Sequence, residues 1–329
     1  MTQSTRAAIL STGAFVPEKV LTNHDLEKMV ETSDDWIVTR TGIRERRMAD
    51  PSQASSDLAL PAARQALERA GLTAEDIDLI IVATISPDMN FPSTACWLQA
   101  GLGAKNAAAF DLSAACSGYI YSLVMGKNAI EAGTHRHVLV VGAEVLTKIT
   151  DYTDRTSCIL FGDGAGAVVL GASRGEHELQ KVFMQSDGAG GDIMKLPAGG
   201  TRMPATHETV EQRMHYMKIR GREVYKFVVL KMADLIEQAA RDHGIRKEDI
   251  ALIVPHQMNS RIIEGAMERL ALPMEKVYMN IDRYGNTSAA SIPLALDEAI
   301  QNGRVHKGDY VCLVAFGAGL TWGYCMVRW

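Results

Sequence analysis

Gly71-Leu72-Thr73-Ala74-Glu75-Asp76-Ile77-Asp78-Leu79-Ile80-Ile81-Val82 decides how this chain is built, because it occurs twice. Its echo is Gly244-Ile245-Arg246-Lys247-Glu248-Asp249-Ile250-Ala251-Leu252-Ile253-Val254, with Glu248 standing 173 positions after Glu75. Each copy opens on a glycine suited to ending a helix, passes through a Glu-Asp turn and runs into Leu, Ile and Val. Helix-compatible stretches precede both, at 60–70 and 227–240. A second pair follows in the same order: 138–146 resembles 311–320, with Gly317 lying 175 positions after Gly142. Two echoes at nearly one shift predict two tandem copies of one α/β unit, 1–173 and 174–329. The run 79–84 is apolar on both faces, so the sheet is expected to be mixed or mostly parallel and covered by helices.

Composition narrows the function. The 329 residues are 47% hydrophobic and 22% charged, enough for a sizeable core. Lys and Arg total 34 against 39 Asp and Glu, a net charge of −5, which argues against nucleic-acid binding. The longest apolar runs, such as Leu79-Ile80-Ile81-Val82-Ala83, fall far short of the ~18 residues of a membrane span. No signal-peptide pattern opens the chain, and five cysteines without a CxxC pair make a reducing cytoplasm the expected location.

The chemistry concentrates in a few turns. Phe110-Asp111-Leu112-Ser113-Ala114-Ala115-Cys116-Ser117-Gly118-Tyr119 reads as strand, turn of small residues, then helix. A Cys at a helix N-terminus is expected to have a lowered pKa and to serve as an acyl-accepting nucleophile, with backbone N–H groups holding the oxyanion. Cys96, Cys158, Cys312 and Cys325 read as small packed thiols. Pro255-His256-Gln257 places a His at the carboxyl end of the second repeat's strand, where α/β sheets gather ligands. Tyr284-Gly285-Asn286-Thr287-Ser288-Ala289-Ala290 is a second small-residue turn. Asn286 lies 170 positions after Cys116, where the duplication predicts the structural counterpart of that cysteine. The repeat thus brings Cys116, His256 and Asn286 to one floor. Gly162-Asp163-Gly164-Ala165-Gly166 lacks nucleotide-loop spacing and reads as close backbone packing. No HExxH, Walker A or GxSxG motif occurs. Residues 186–222 are irregular and carry Met194, Met203, Met214 and Met217, which suit either a channel lining or a plain surface insertion.

These motifs, with Thr32-Ser33-Asp34-Asp35-Trp36, Arg40-Thr41-Gly42-Ile43-Arg44 and Phe316-Gly317-Ala318-Gly319-Leu320-Thr321-Trp322-Gly323, resemble the thiolase superfamily. Within it the chain is similar to the bacterial 3-oxoacyl-[acyl-carrier-protein] synthase III family over almost its whole length. The resemblance implies a thiolase-like fold of two pseudo-symmetric halves layered α-β-α-β-α. It implies a Cys116–His256–Asn286 triad, with the N–H groups of Cys116 and Ala318 as oxyanion donors. The implied reaction is decarboxylative condensation of an acyl-CoA primer with malonyl-acyl carrier protein, in which neutral His256 and Asn286 donate to the malonyl thioester oxygen. It implies CoA contacts from Trp36, Arg40, Arg155 and Asn259, and carrier-protein contacts from Gln257 and Arg261. Phe91 is implied to reach the partner's acyl pocket in a homodimer. No metal or resident cofactor is implied. A Cys-His-Asn condensing enzyme of secondary metabolism, such as a quinolone or polyketide starter synthase, shares the triad and is the alternative.

Overall fold

The computed structural model describes residues 5–329. Nine strands form its main sheet: β1 (Ala7–Phe15), β2 (Leu79–Ala83), β3 (Ala108–Leu112), β4 (Val138–Val145), β5 (Asp163–Ala172), β6 (Glu178–Ser186), β7 (Ile250–Pro255), β8 (Tyr310–Gly317) and β9 (Thr321–Arg328). Their spatial order is β7-β8-β9-β6-β1-β5-β4-β2-β3. Read outward from the middle, β1-β5-β4-β2 mirrors β6-β9-β8-β7, so a pseudo-twofold axis runs between β1 and β6. One residue pair, Ala8 with Glu178, joins the two half-sheets. The sheet is mixed: β2 is parallel to β3 and β4, and β7 to β8, while β4, β5 and β1 pair antiparallel, as do β8, β9 and β6. The second half has only an isolated bridge, Ile253 with Val277, where the first has β3 beside β2.

Seven helices of eight residues or more complete the layers: α1 (Asp34–Thr41), α2 (Ser55–Ala70), α3 (Thr94–Leu102), α4 (Gly118–Glu131), α5 (Gly221–Asp242), α6 (Ser260–Leu270) and α7 (Ser291–Gln301). Alternation along β2 explains the layering, since successive side chains point to opposite faces. Ile80 and Val82 meet Leu58, Ala62 and Leu98 of the outer helices α2 and α3. Leu79 and Ile81 turn inward to Tyr119, Leu123, Ile292 and Leu296, so α4 and α7 lie between the half-sheets. Val228, Leu235, Ile263 and Met267 of α5 and α6 cover the far face of the second half-sheet. The result is the five-layer α-β-α-β-α arrangement that the resemblance implied. Each fully buried Leu, Ile or Val in it contributes ~1.5–3 kcal/mol. Gly71 ends α2 in the left-handed region at φ 66°, as its place in the repeat predicted.

The symmetry corrects one expectation. Three-residue 3-10 turns, Ala115–Ser117 and Ser288–Ala290, lead into α4 and α7, and Ala115 and Ser288 both carry φ 47°. The turns therefore align at the same 173-residue shift as Glu75 and Glu248. The counterpart of Cys116 is Ala289, not Asn286, which lies three residues earlier and matches Ser113. The glycines at 162–166 pack as expected: a Cβ on Gly166 would stand 2.6 Å from Pro293 Cβ, under α7.

Candidate active site

Three turns at the carboxyl ends of strands build the site. Cys116 follows β3 and sits in the 3-10 turn that opens α4; it is 6% exposed. His256 follows Pro255, the last residue of β7, and its N–H donates to Val314 O of β8 at 2.8 Å. The backbone of Asn286 is clamped: its N–H donates to Leu160 O at 2.8 Å, and its carbonyl accepts from Gly162 N–H at 3.1 Å. Asn286 Oδ1 accepts from Ser288 N–H at 2.8 Å, which leaves Nδ2 as the amide's free donor end. Cys116, His256 and Asn286 line one cavity of ≈ 20 Å³, room for about one water. Its walls are apolar, from Met194, Phe227, Val228, Met258, Phe316 and Leu320. Gly317 presses the 316–319 turn onto this floor, since a Cβ there would lie 2.9 Å from Cys116 N. Ala318 is the next residue along.

Burial sets the charge states. It pushes the Cys116 thiol up to about 12, with the nearby Glu144 carboxylate adding to the rise and the Ser288 hydroxyl opposing it. The expectation of a lowered thiol pKa is therefore not met: burial outweighs the helix dipole and favours the protonated thiol. Burial likewise pushes His256 down to about 3, so its ring is neutral at physiological pH. Its Nδ1 lies 2.7 Å from Ser291 Oγ, and its buried Nε2 has no hydrogen-bond partner among the described residues.

Glu144, Ser288 and Ser291 were not singled out from sequence. Glu144 is fully buried on β4, and its Oε2 accepts from Thr84 Oγ1, Ile85 N and Ser86 N at 3.1 Å and from Ser86 Oγ at 2.6 Å. A lone carboxylate in an otherwise apolar strand was the available signal.

The outlying residues divide. Arg40 and Arg155 place their guanidinium carbons 4.6 and 5.1 Å from the Trp36 ring centroid, so these three expected CoA contacts do come together. Asn259 caps α6 through Oδ1 to Arg261 N–H and donates Nδ2 to Arg40 O, which ties α6 to α1. Arg261 is exposed on the first turn of α6. Gln257 is not a surface contact. It is 1% exposed, donating Nε2 to Pro255 O and Tyr278 O and accepting from Asn280 N–H. Phe91 is 84% exposed on the loop between β2 and α3. Met194 lines the cavity, whereas Met217 packs elsewhere against Leu146 and Phe161. Cys158, Cys312 and Cys325 are buried as read, but Cys96 is exposed on α3. Among the described residues no group of three or more His, Cys, Asp or Glu is arranged to hold a metal, and no helix is long and apolar enough to cross a membrane.

Residues 110–188 match the family described as 3-Oxoacyl-[acyl-carrier-protein (ACP)] synthase III, and residues 240–329 match its C-terminal part. Beta-ketoacyl-[acyl-carrier-protein] synthase III of Caldanaerobacter subterraneus subsp. tengcongensis is 55% identical over 329 residues, spanning 100% of this chain and 99% of that protein. The crystal structure of 3-oxoacyl-[acyl-carrier-protein] synthase III from Aquifex aeolicus VF5 is 44% identical with a TM-score of 0.90, covering 98% of this chain and 100% of that one. The priming beta-ketosynthase of the R1128 polyketide pathway has the same shape at TM-score 0.91 but only 33% identity, covering 100% of this chain and 98% of that one.

Proposed function

The chain belongs to the 3-oxoacyl-[acyl-carrier-protein] synthase III family and is a condensing acyltransferase that initiates fatty acid synthesis, and we propose that it works through an acyl-Cys116 intermediate served by His256 and Asn286. The observation that carries this reading is the meeting of those three side chains, drawn from both halves, in one apolar-walled cavity. Cys116 Sγ attacks the thioester carbonyl of an acyl-CoA, the N–H groups of Cys116 and Ala318 hold the oxyanion, and CoA leaves. Malonyl-acyl carrier protein enters next and loses CO2. His256 Nε2 and Asn286 Nδ2 donate to the thioester oxygen as the enolate forms; each such donor is worth ~2.7–4 kcal/mol. The enolate carbon attacks the acyl group, and 3-ketoacyl-acyl carrier protein departs. Holding the two acyl groups in register at Cys116 supplies much of the remaining acceleration. Decarboxylation itself generates the carbanion, so the reading includes no metal or resident cofactor. The 55% identity to a synthase III against 33% to the polyketide priming enzyme favours primary metabolism.

The surroundings fit the same reading. The Trp36 face with Arg40 and Arg155 suits adenine and phosphate, the aromatic ring stacking and the guanidinium groups supplying charge. Asn259 contributes by holding Arg40 against α6 rather than by offering its own amide. Arg261 offers positive charge to an acidic carrier protein near the cavity wall at Met258. Among the described residues the edge strand β3 has no neighbour on its outer side; it exposes Phe110, and Trp97 of α3 and Met89 and Phe91 of the loop before it are exposed as well. An apolar open edge of this kind calls for a partner, and a homodimer formed there lets Phe91 reach across to the other subunit's acyl pocket. The halves 1–173 and 174–329 are then one working unit of a cytoplasmic enzyme. Trapping with labelled acetyl-CoA tests the mechanism. Cys116→Ala loses the acyl-enzyme, while Asn286→Ala retains it and loses malonyl decarboxylation. Acylation of Cys116→Ala, or normal decarboxylation by Asn286→Ala, refutes it.

A further inference from the structure

The two steps of the proposed reaction make opposite demands on His256 Nε2. Acylation requires it to take the Cys116 proton, because the thiol is protonated at rest. Condensation requires it to donate. Which ring nitrogen carries the proton is fixed by what the other one touches. Nδ1 touches Ser291 Oγ at 2.7 Å, and Ser291 Oγ is also 2.7 Å from Ser288 O. A carbonyl oxygen only accepts, so the single hydroxyl proton of Ser291 points at Ser288 O. The hydroxyl then meets Nδ1 with a lone pair, and Nδ1 must hold the hydrogen. Nε2, buried and unpartnered in the cavity floor, is left bare. A neutral His256 in this state has no Nε2–H to donate, contrary to the donor role expected of the neutral ring.

We infer that Ser291, at the first position of α7, is a positioning residue that fixes His256 in its Nδ1–H tautomer and makes Nε2 the proton port of both half-reactions. The inference rests on the reading of His256 as catalytic. The proton balance closes. In acylation the Cys116 S–H proton moves to Nε2 as sulfur bonds to the carbonyl carbon; when the adduct collapses and the C–S bond to CoA breaks, that proton leaves on the CoA sulfur. Condensation consumes one proton overall, since Cys116 must return to its thiol form while CO2 departs. Nε2 takes that proton from solvent as the malonyl carboxylate arrives, donates it as a hydrogen bond to the enolate oxygen, and passes it to the Cys116 sulfur once the new carbon–carbon bond forms. Ser291 keeps Nδ1–H engaged throughout. The titratable groups facing this floor are Cys116 from the turn before α4 and Glu144 from β4. Neither is a cause of the His256 displacement, which burial alone produces.

Histidine tautomers in the full-length enzyme labelled with ¹⁵N-histidine decide the matter. The His256 signals are identified by their loss in His256→Ala. The expected spectrum shows Nδ1 protonated and Nε2 bare; Nε2–H in the free wild-type enzyme overturns the inference, whatever the variants do. In Ser291→Ala the Nε2–H tautomer appears, and acyl-Cys116 formation from acetyl-CoA falls ~10²-fold, the lower end of what a positioned base supplies. Malonyl decarboxylation falls far less, because Nε2–H can still donate. An unchanged tautomer in Ser291→Ala, or parallel loss of both half-reactions without a tautomer change, also overturns it. If His256→Ala decarboxylates malonyl-acyl carrier protein at the wild-type rate, the proposed mechanism itself fails; if it does not, and the wild-type spectrum shows Nε2–H, only the role of Ser291 fails.

Discussion

Gly142 sits midway along β4, directly behind the turn that carries Asn286, and replacing it by Ala measures how tightly that turn must be held. A Cβ there would lie 2.2 Å from Ala289 O, 2.8 Å from Ala289 C and 3.1 Å from Ala290 N. Ordinary contact begins at 3.4 Å, so the Ala289 peptide must retreat by about 1 Å. The retreat is not free. Asn286 is pinned to Leu160 and Gly162, Ser288 N–H is held by Asn286 Oδ1, and α7 begins at Ser291. The strain therefore reaches Asn286 on one side and the Ser291–His256 contact on the other. Overpacking of this kind costs ~1–3 kcal/mol, a fall in Tm of a few degrees for a chain of this size. A displacement of ~1 Å at reacting groups costs ~10²-fold in rate. Thermal unfolding and the rate of 3-ketoacyl product formation read the two effects, with Gly188→Ala as a control because no heavy atom lies within 4 Å of its Cβ position. Gly142→Ala with wild-type Tm and wild-type condensation rate refutes the claim that close packing of β4 on this turn positions the site.

Three further outcomes follow from the site and its rim. Burial raises the Cys116 pKa to about 12, so less thiolate is present at any pH than in a free cysteine; alkylation of the Cys116 peptide by iodoacetamide should lag behind free cysteine and keep climbing past pH 9, and a plateau below pH 8 contradicts the protonated resting thiol. Arg261→Glu should raise KM for malonyl-acyl carrier protein at least tenfold, with acylation by acetyl-CoA unchanged; equal losses in both steps tell against a docking role. Phe110→Asp on the open edge of β3 should yield a monomer by light scattering, and a dimer of undiminished stability places the interface elsewhere.

Sequence carried the architecture because the repeat is written in residue types: Glu75 and Glu248, Gly142 and Gly317, and the apolar strands between them. The phase of the active-site turns was not so written. The 170-residue spacing pairs Asn286 with Cys116, whereas the backbone aligns Ala115 with Ser288 through their shared φ of 47°, which no residue type announces. The sign of the thiol shift also needed coordinates, because it is a contest between dipole and burial and only burial depth decides it. Gln257 looks like a surface residue by polarity, yet three hydrogen bonds inside the fold consume its amide. Cys96 errs the other way, a residue type usually packed but here exposed on α3. Glu144 lies in the repeated run 138–146, where its residue type does not show its surroundings; a carboxylate fully buried in β4 must be provided with donors, and Thr84, Ile85 and Ser86 supply them.

The mirrored order of the half-sheets divides the proposed chemistry. A lone half holds either the sulfur or the imidazole and amide, never all three, so neither half is expected to condense acyl groups by itself. The two equivalent turns share one backbone conformation, yet one presents the thiol of Cys116 and the other only the methyl group of Ala289.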